Sequence, residues 1–168
     1  MDCIIVEKKA MLFEGCLVKC EGGNAWAKWE KWDSMESDNP KYAHHHQVDD
    51  YPNESRAFEV RFYPKDAEYC FTGLEVTREE PDVIWEYIKI PVATYAIFDI
   101  DQKVNTKPQF QAVDNWLEEN KDKYKQMKWD ADGKVDLSNF VICLYDHRGK
   151  FQKDNIMEMW IPLIKVTE

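Results

Sequence analysis

The stretch that most constrains the fold is a run of β-branched and aromatic residues at positions 88–101, IKIPVATYAIFDID. Pro91 lacks a backbone donor and is tolerated only at the start or the edge of a strand, so a strand is predicted at 92–100, with a turn before it. Alternation places apolar side chains on both faces of this strand, which is typical of the middle of a sheet. Segments 67–77 and 156–166 have a similar composition and are predicted to join the same sheet.

The chain repeats one order of elements twice, which predicts an α+β fold in which helices pack on antiparallel sheets. Each half, about 1–88 and about 89–168, is predicted to run strand, helix, strand, strand. Gly15, inside the second predicted strand, is predicted to be a bulge or a point of close approach. A chain of 168 residues suits one domain made of two such halves. The predicted strands are 3–6, 11–20, 57–63, 67–77, 92–100, 139–146 and 156–166, and the predicted helices are 24–37 and 108–120.

Three tryptophans recur at three-residue spacing on the first predicted helix, at Trp26, Trp29 and Trp32. Side chains at this spacing lie on one side of a helix. An apolar stripe of this kind more often packs in a core than lines a ligand site, so the stripe is predicted to be core. A tryptophan at the edge of a pocket would nevertheless suit a flat ligand.

The charge balance narrows the range of partners. The formal charge is -10, from 32 acidic and 22 basic residues, which opposes direct binding of nucleic acid. Such a charge attracts cations over long distances and is also that of an ordinary solvated acidic surface. A mean hydropathy of -0.64, without a long apolar run or a secretory signal, predicts a cytoplasmic protein with no membrane partner.

No metal or cofactor is predicted. The cysteines number five, an odd count that favours reduced, buried thiols, and Cys16-x-x-x-Cys20 lacks the second ligand pair of a zinc site. A run of histidines and aspartates has residue types that bind metals, but alternation puts only two of the histidines on one face, too few for a site. This run comprises His44, His45, His46, Asp49 and Asp50.

Two carboxylates stand beside aromatic residues on predicted strands. Glu158 shares a largely apolar face with Trp160, and a glutamate next to an indole in a cleft has a raised pKa or binds a cation. The alternative is a glutamate that reaches solvent at the start of a strand. Glu75, which shares a face with Phe71, is open to the same two interpretations.

Three of the strand segments, YCFTGLEV, IPVATYAIF and MEMWIPL, resemble motifs of the GyrI-like (gyrase-inhibitor-like) effector-binding family. In that family a Y-x-x-G-x-E-V strand, an IPAGKYAVF-like strand and a terminal EIYIPI strand recur in this order. The same family supplies the ligand domain of AraC-type and MerR-type multidrug-responsive regulators. The resemblance covers most of the chain.

The resemblance implies a ligand cleft between the two repeats, lined by aromatic residues and by a buried acid that attracts lipophilic cations. Tyr95 and Trp160 fall on the family's aromatic positions, whereas Cys143 stands where the acid of an F-E-x-Y-D strand is expected. Either Glu158 or Glu75 then replaces the acid, or the ligands are neutral and flat. The residues predicted to bind ligand are Phe71, Glu75, Tyr95, Cys143, Tyr145, Glu158 and Trp160.

The resulting functional hypothesis is a stand-alone domain that senses or sequesters aromatic ligands, cationic ones included. Two alternatives follow from the same resemblance: a hydrolase that opens the cyclopropane of DNA-alkylating toxins, and a protein-interaction module of the gyrase-inhibitor type. A separate regulator or gyrase would be the protein partner. Binding is favoured over catalysis because no nucleotide, hydrolase or zinc-protease motif occurs, and no catalytic residue is predicted.

Overall fold

The strand predicted after Pro91 lies inside a nine-stranded antiparallel sheet. The computed structural model describes residues 1–20, 26–35, 40–48, 56–63, 67–127, 140–146 and 150–166. The strands are β1 (Ile4–Lys8), β2 (Met11–Lys19), β3 (Arg56–Phe62), β4 (Tyr69–Val76), β5 (Glu86–Ile90), β6 (Ala93–Asp101), β7 (Tyr124–Gln126), β8 (Phe140–Asp146) and β9 (Ile156–Lys165).

Three α-helices are found in the described ranges: α1 (Ala27–Met35), α2 (Lys107–Glu119) and α3 (Lys150–Asp154). Pro108 stands in the first turn of α2, where its missing N–H costs no helical hydrogen bond. A 3₁₀ turn, Pro40–Tyr42, follows α1. None of the helices in the described ranges has the length and apolarity needed to cross a membrane.

The order of the strands confirms the α+β class and the repeated pattern. Across the sheet they run β1-β6-β9-β8-β3-β4-β2-β5, with β7 beside β9. The set β6, β9, β8 mirrors the set β2, β4, β3, and the antiparallel pair of β3 and β8 joins the halves. If β5 (Glu86–Ile90), which spans the predicted boundary at about 88, is counted with the second half, the outer strands are exchanged: β1 pairs with β6 of the second half and β5 pairs with β2 of the first.

Alternation along the strands gives the sheet two different faces. On the helical face, α1 packs Trp32 against Cys16 and Leu74, and α2 packs Val113 near Phe98. The opposite, aromatic face holds the largest buried cluster, which includes Phe13, Phe58, Val60, Phe62, Phe71, Ile90, Tyr95, Ile142 and Trp160. Both faces of β6 are therefore covered, as its apolar sequence predicted.

Several elements differ from the prediction. The predicted turn before Pro91 is strand β5, because Ile90 is buried in the aromatic cluster and pairs with Met11 of β2. The polar segment after α2 contains the short strand β7, and α3 was not predicted. The first helix is described over Ala27–Met35, and its predicted ends at 24 and 37 lie outside the described residues.

Candidate functional site

A cleft opens on the helical face where the two halves meet, above the β3 and β8 pair. It consists of two adjoining cavities of about 610 and 540 Å³ that share Arg61, Gln102 and Tyr145 in their walls. We call them the α2 lobe and the α1 lobe after the helix that lines each one. The α2 lobe is lined by apolar residues that include Phe110, Val113, Leu117, Val141 and Met157, and by Cys143 and Asp114. The α1 lobe is lined in addition by Trp26, Lys28, Trp29, Phe151 and Asn155.

A buried ion cluster lies beneath this cleft. Glu59 of β3 is 0% exposed, and its Oε1 is 3.1 Å from the Nζ of Lys28, which is itself only 2% exposed. The Nε of Arg61 donates to the same Oε1, so one carboxylate oxygen is shared by two cations. Lys28 belongs to α1, so the cluster links this helix to the central strand pair. The other oxygen of Glu59 is buried without a hydrogen-bond partner among the described residues.

The pKa values of the cleft residues follow from burial and from Glu59. Burial opposes the charge on Arg61, but the adjacent Glu59 carboxylate more than compensates and raises the pKa of the guanidinium above its usual value. Burial raises the pKa of the Cys143 thiol to about 12. Burial and then the Glu59 charge raise the pKa of Tyr145. At neutral pH the cleft thus presents a charged guanidinium, a neutral thiol and a neutral phenol.

Glu59 was not among the predicted site residues, yet it is paired directly with one of them. In the register of β3 and β8 it lies opposite Cys143, the position at which the resemblance led us to expect an acid. A buried acid is therefore present at this level of the sheet, on the neighbouring strand of the other half. The available signal was the Glu59-x-Arg61 spacing, which puts opposite charges on one face of a strand.

Tyr145, like Cys143, is a predicted site residue that lines the cleft. Tyr145 borders both lobes, and its ring makes edge contacts with Trp29 at 5.6 Å and Phe151 at 5.0 Å between centroids. These three aromatic side chains form a continuous wall along the α1 lobe. Trp29 is half-buried, and Trp26 is 72% exposed, so the prediction that the tryptophan stripe is core was right for Trp32 and wrong for Trp26.

The three other predicted aromatic and apolar site residues lie on the opposite side of the sheet. Tyr95 and Phe71 are 0% exposed and Trp160 is 5% exposed, all within the aromatic cluster. The Trp160 ring packs edge-on against Tyr95, and the Nζ of Lys8 lies 4.8 Å from its centroid. None of the three lines either lobe of the cleft, because alternation directs their side chains away from the helices.

The two predicted carboxylates are also outside both lobes. Glu158 Oε2 accepts a hydrogen bond from the Trp160 indole at 3.0 Å, and its Oε1 is 3.4 Å from Lys150 Nζ. Glu158 was expected to bind a cationic ligand, but in the structure Lys150 of the same chain occupies that role. Glu75 is half-buried opposite Phe13.

The histidine run and the Cys20 thiol lie at separate sites in the first half. His44 Nδ1 lies 2.9 Å from Glu14 Oε1, and His46 Nε2 lies 3.0 Å from Glu80, so the two rings face different carboxylates. Asp49 and Asp50 lie outside the described residues. The sulfur of Cys20 lies 3.0 Å from that of Cys70 of β4.

One group of possible metal ligands is found among the described residues. The donor atoms of Cys20, Glu68 and Cys70 lie within 4.8 Å of one another. Structural zinc sites use four protein ligands, and three are available in this group. Burial raises the pKa of Cys70, which opposes the thiolate form that a metal requires.

No protein-family model matches the sequence, and no curated protein matches it either. Solved structures share the fold. SAV2435 bound to tetraphenylphosphonium superposes with a TM-score of 0.63 at 12% identity, over 98% of this chain and 94% of that one. The EcmrR C-terminal domain superposes with a TM-score of 0.58 at 11% identity, over 98% of each chain. At these identities the likeness establishes the shared fold.

Proposed function

We propose that this protein is a small-molecule-binding domain of the GyrI-like, regulator-associated type, which senses or sequesters planar aromatic compounds in the cleft between α1 and α2. The observation that carries the proposal is the cleft itself: a large concave site at the junction of the two halves, with an aromatic wall and a few polar groups. Ligand sites in proteins commonly have this composition. The solved structure of SAV2435 with tetraphenylphosphonium and that of the EcmrR domain support the proposal at the level of the fold.

The aromatic wall would supply most of the binding free energy. The Tyr145 ring already contacts both Trp29 and Phe151 edge-on, so the wall is held in place before a ligand arrives. A flat ring that stacks on one of them buries apolar area without ordering new side chains. Cys143 and the α2 residues extend the apolar surface into the second lobe.

A bound compound would contact both halves of the molecule at once. Trp29 belongs to α1 of the first half, whereas Tyr145 and Phe151 belong to β8 and α3 of the second. A ligand that bridges these elements stabilises the folded state by an amount that grows with the logarithm of its concentration relative to its Kd. This coupling suits a sensor, because occupancy of the cleft changes how firmly α1 is held against the second half.

The proposal is tested by a thermal-shift and tryptophan-fluorescence screen with planar aromatic compounds that are neutral, cationic or anionic. We expect concentration-dependent stabilisation by a subset of these compounds. Trp29→Ala should weaken binding by about tenfold, equivalent to about 1.4 kcal/mol, since it removes a stacking surface. Trp116→Ala is the matched control, because Trp116 is a half-buried tryptophan on α2 that packs on Phe98 outside both lobes.

Two results would contradict the proposed function. One is the absence of stabilisation by any compound of the panel. The other is an equal loss of affinity in the Trp29 and Trp116 variants, which would place the ligand elsewhere or make both effects indirect.

The hydrolase and the protein-interaction module remain predictions from the sequence. Glu59 is already held by Lys28 and Arg61, and the Cys143 thiol has its pKa raised to about 12 by burial, so no observation favours a nucleophile or a free acid in the cleft. Product analysis of every stabilising compound separates turnover from binding. A supercoiling assay with gyrase and no added compound tests the interaction module.

A further inference from the structure

The charged side chains that line the α1 lobe have one sign among the described residues. Lys28 and Arg61 line this lobe, and no described carboxylate does. The chain as a whole has a formal charge of -10, so the lobe is a locally basic site in an acidic protein. Asp114 lies on exposed surface of α2 and borders the other lobe.

The buried Glu59 carboxylate does not make the net charge at the α1 lobe negative. It is one carboxylate beneath two cations, and its Oε1 is engaged by both of them. A cationic ligand in the lobe would face Lys28 and Arg61 at close range, and repulsion between like charges in a partly desolvated site is costly. Cys143, opposite Glu59, adds no charge because its thiol is protonated at neutral pH.

Two residues with hydrogen-bond donors lie in the wall that both lobes share. The Nε of Arg61 is engaged by Glu59, and the group also bonds to Tyr63, while its side chain remains 29% exposed in the wall shared by both lobes. The Nε2 of Gln102, in the same shared wall, is buried and has no hydrogen-bond partner among the described residues. A buried donor without an acceptor is costly unless a ligand supplies the acceptor.

We infer that the α1 lobe selects aromatic anions, with an aryl carboxylate as the model compound: Arg61 and Gln102 take the carboxylate and the Trp29–Tyr145–Phe151 wall takes the ring. This inference rests on the proposed function and specifies its ligand class. A guanidinium matches a carboxylate in plane and binds it with paired N–H donors. Lys28 adds positive charge from α1 while it keeps Glu59 paired.

The experiment compares naphthalene-2-carboxylate with two analogues of nearly the same shape, naphthalene-2-carboxamide and 2-naphthylmethylammonium. Affinities are measured by tryptophan fluorescence and calorimetry on the intact chain. We expect the carboxylate to bind at least about tenfold more tightly than the amide, and the ammonium compound to bind most weakly. The preference should decrease as salt concentration rises.

Arg61→Gln should abolish the preference for the carboxylate over the amide. Arg78→Gln is the matched control, because Arg78 is exposed on the connection between β4 and β5 and lines neither lobe. Gln102→Leu tests the second donor without disturbing the ion cluster, and it should weaken the carboxylate several-fold more than the amide. This variant and the wild-type comparison remain informative if Arg61→Gln does not fold.

The outcomes separate the inference from the function on which it rests. If the amide or the ammonium compound binds as tightly as the carboxylate, or if Arg61→Gln retains the preference, the anion inference is overturned and the binding function stands. If no planar aromatic compound of any charge binds, the proposed function fails and the inference fails with it.

Discussion

Glu59 sets the character of the cleft at the scale of single residues. A carboxylate with no exposed surface is tolerated only when it is paired and hydrogen-bonded, and Lys28 and Arg61 provide that pairing. Such a buried cluster contributes little net stability, but it holds the side chains of α1 and β3 in one arrangement. The same pairing leaves Arg61 charged and directed at the cleft.

The burial of individual cysteines predicts the order in which their thiols react with an alkylating reagent. Burial raises the pKa of Cys143 to about 12 and that of Cys16 to about 11, so both remain protonated and enclosed at pH about 8. Iodoacetamide should therefore modify half-buried Cys3 first in the folded protein, and Cys16 and Cys143 only after unfolding. Peptide mapping by mass spectrometry provides the measurement. Labelling of Cys143 as fast as Cys3 would show that the cleft exposes a reactive thiolate.

Among the elements, β2 and β4 approach each other so closely that two facing positions have room only for glycine. Gly15 and Gly73 are directly opposite in the register. A Cβ on Gly15 would lie 1.9 Å from the Thr72 carbonyl oxygen, and one on Gly73 would lie 2.3 Å from the Glu14 carbonyl oxygen. Gly15 is thus a point of close approach, one of the two roles that its place inside a strand had predicted.

Gly15→Ala should destabilise the protein by about 1 to 3 kcal/mol, because the added methyl group collides with backbone that cannot rotate away. Urea unfolding followed by circular dichroism measures the effect, and Gly73→Ala should behave alike. The double variant should lose less than the sum of the two, since one separation of the strands relieves both collisions. Wild-type stability in either single variant would mean that the strands are further apart than the register indicates.

At the scale of the whole molecule, one sheet is shared by both halves. The β3 and β8 pair joins them at the centre, and the exchanged outer strands β1 and β5 tie each half to the other at the edges. The cleft lies over the central pair, so it exists only when both halves are folded. We therefore expect folding of the two halves to be coupled.

Stability at alkaline pH is a property of the whole molecule. Burial raises the pKa of Tyr87 to about 12 and also raises the pKa values of Tyr95 and Tyr145. The unfolded chain releases these protons near pH about 10, so the folded state binds them more tightly. For Tyr87 the corresponding stability is complete below pH about 10 and is lost as pH rises through about 12, and for Tyr95 and Tyr145, whose pKa values are raised further, the loss extends to higher pH.

The free energy of unfolding in urea should consequently fall steadily above pH about 10. Tyr87→Phe should make this fall less steep, since it removes one of the titrating groups while the ring is retained. The ultraviolet absorbance of tyrosinate gives an independent readout, in which part of the eight tyrosines ionises only on unfolding. A stability that is independent of pH over this range would contradict the raised pKa values.

Much of the architecture could be predicted from the sequence. The β-branched run after Pro91 predicted β6, the apolar face with Phe110 and Val113 predicted α2, and the repeated order of elements predicted two related halves. These features depend on short-range patterns, in which strand and helix periodicity and the special backbone of proline act within a few residues. Two predicted site residues, Cys143 and Tyr145, also line the cleft.

The sequence by itself therefore determined most of the elements and the alternation of side chains along each strand, whereas only the tertiary structure decided which face of the sheet holds the cleft. Alternation orders the side chains within β8 and within β9, but it does not relate Cys143 on one strand to Trp160 on the other. The register does, because Trp160 lies opposite Ile142 and therefore on the face away from Cys143, and the packing of the helices decides which of the two faces they cover. That choice makes Trp160 part of a closed core and places Glu59 beneath α1 with Lys28. The physical reason is that the burial of a charge depends on partners distant in sequence, here 31 positions away, which no local pattern contains.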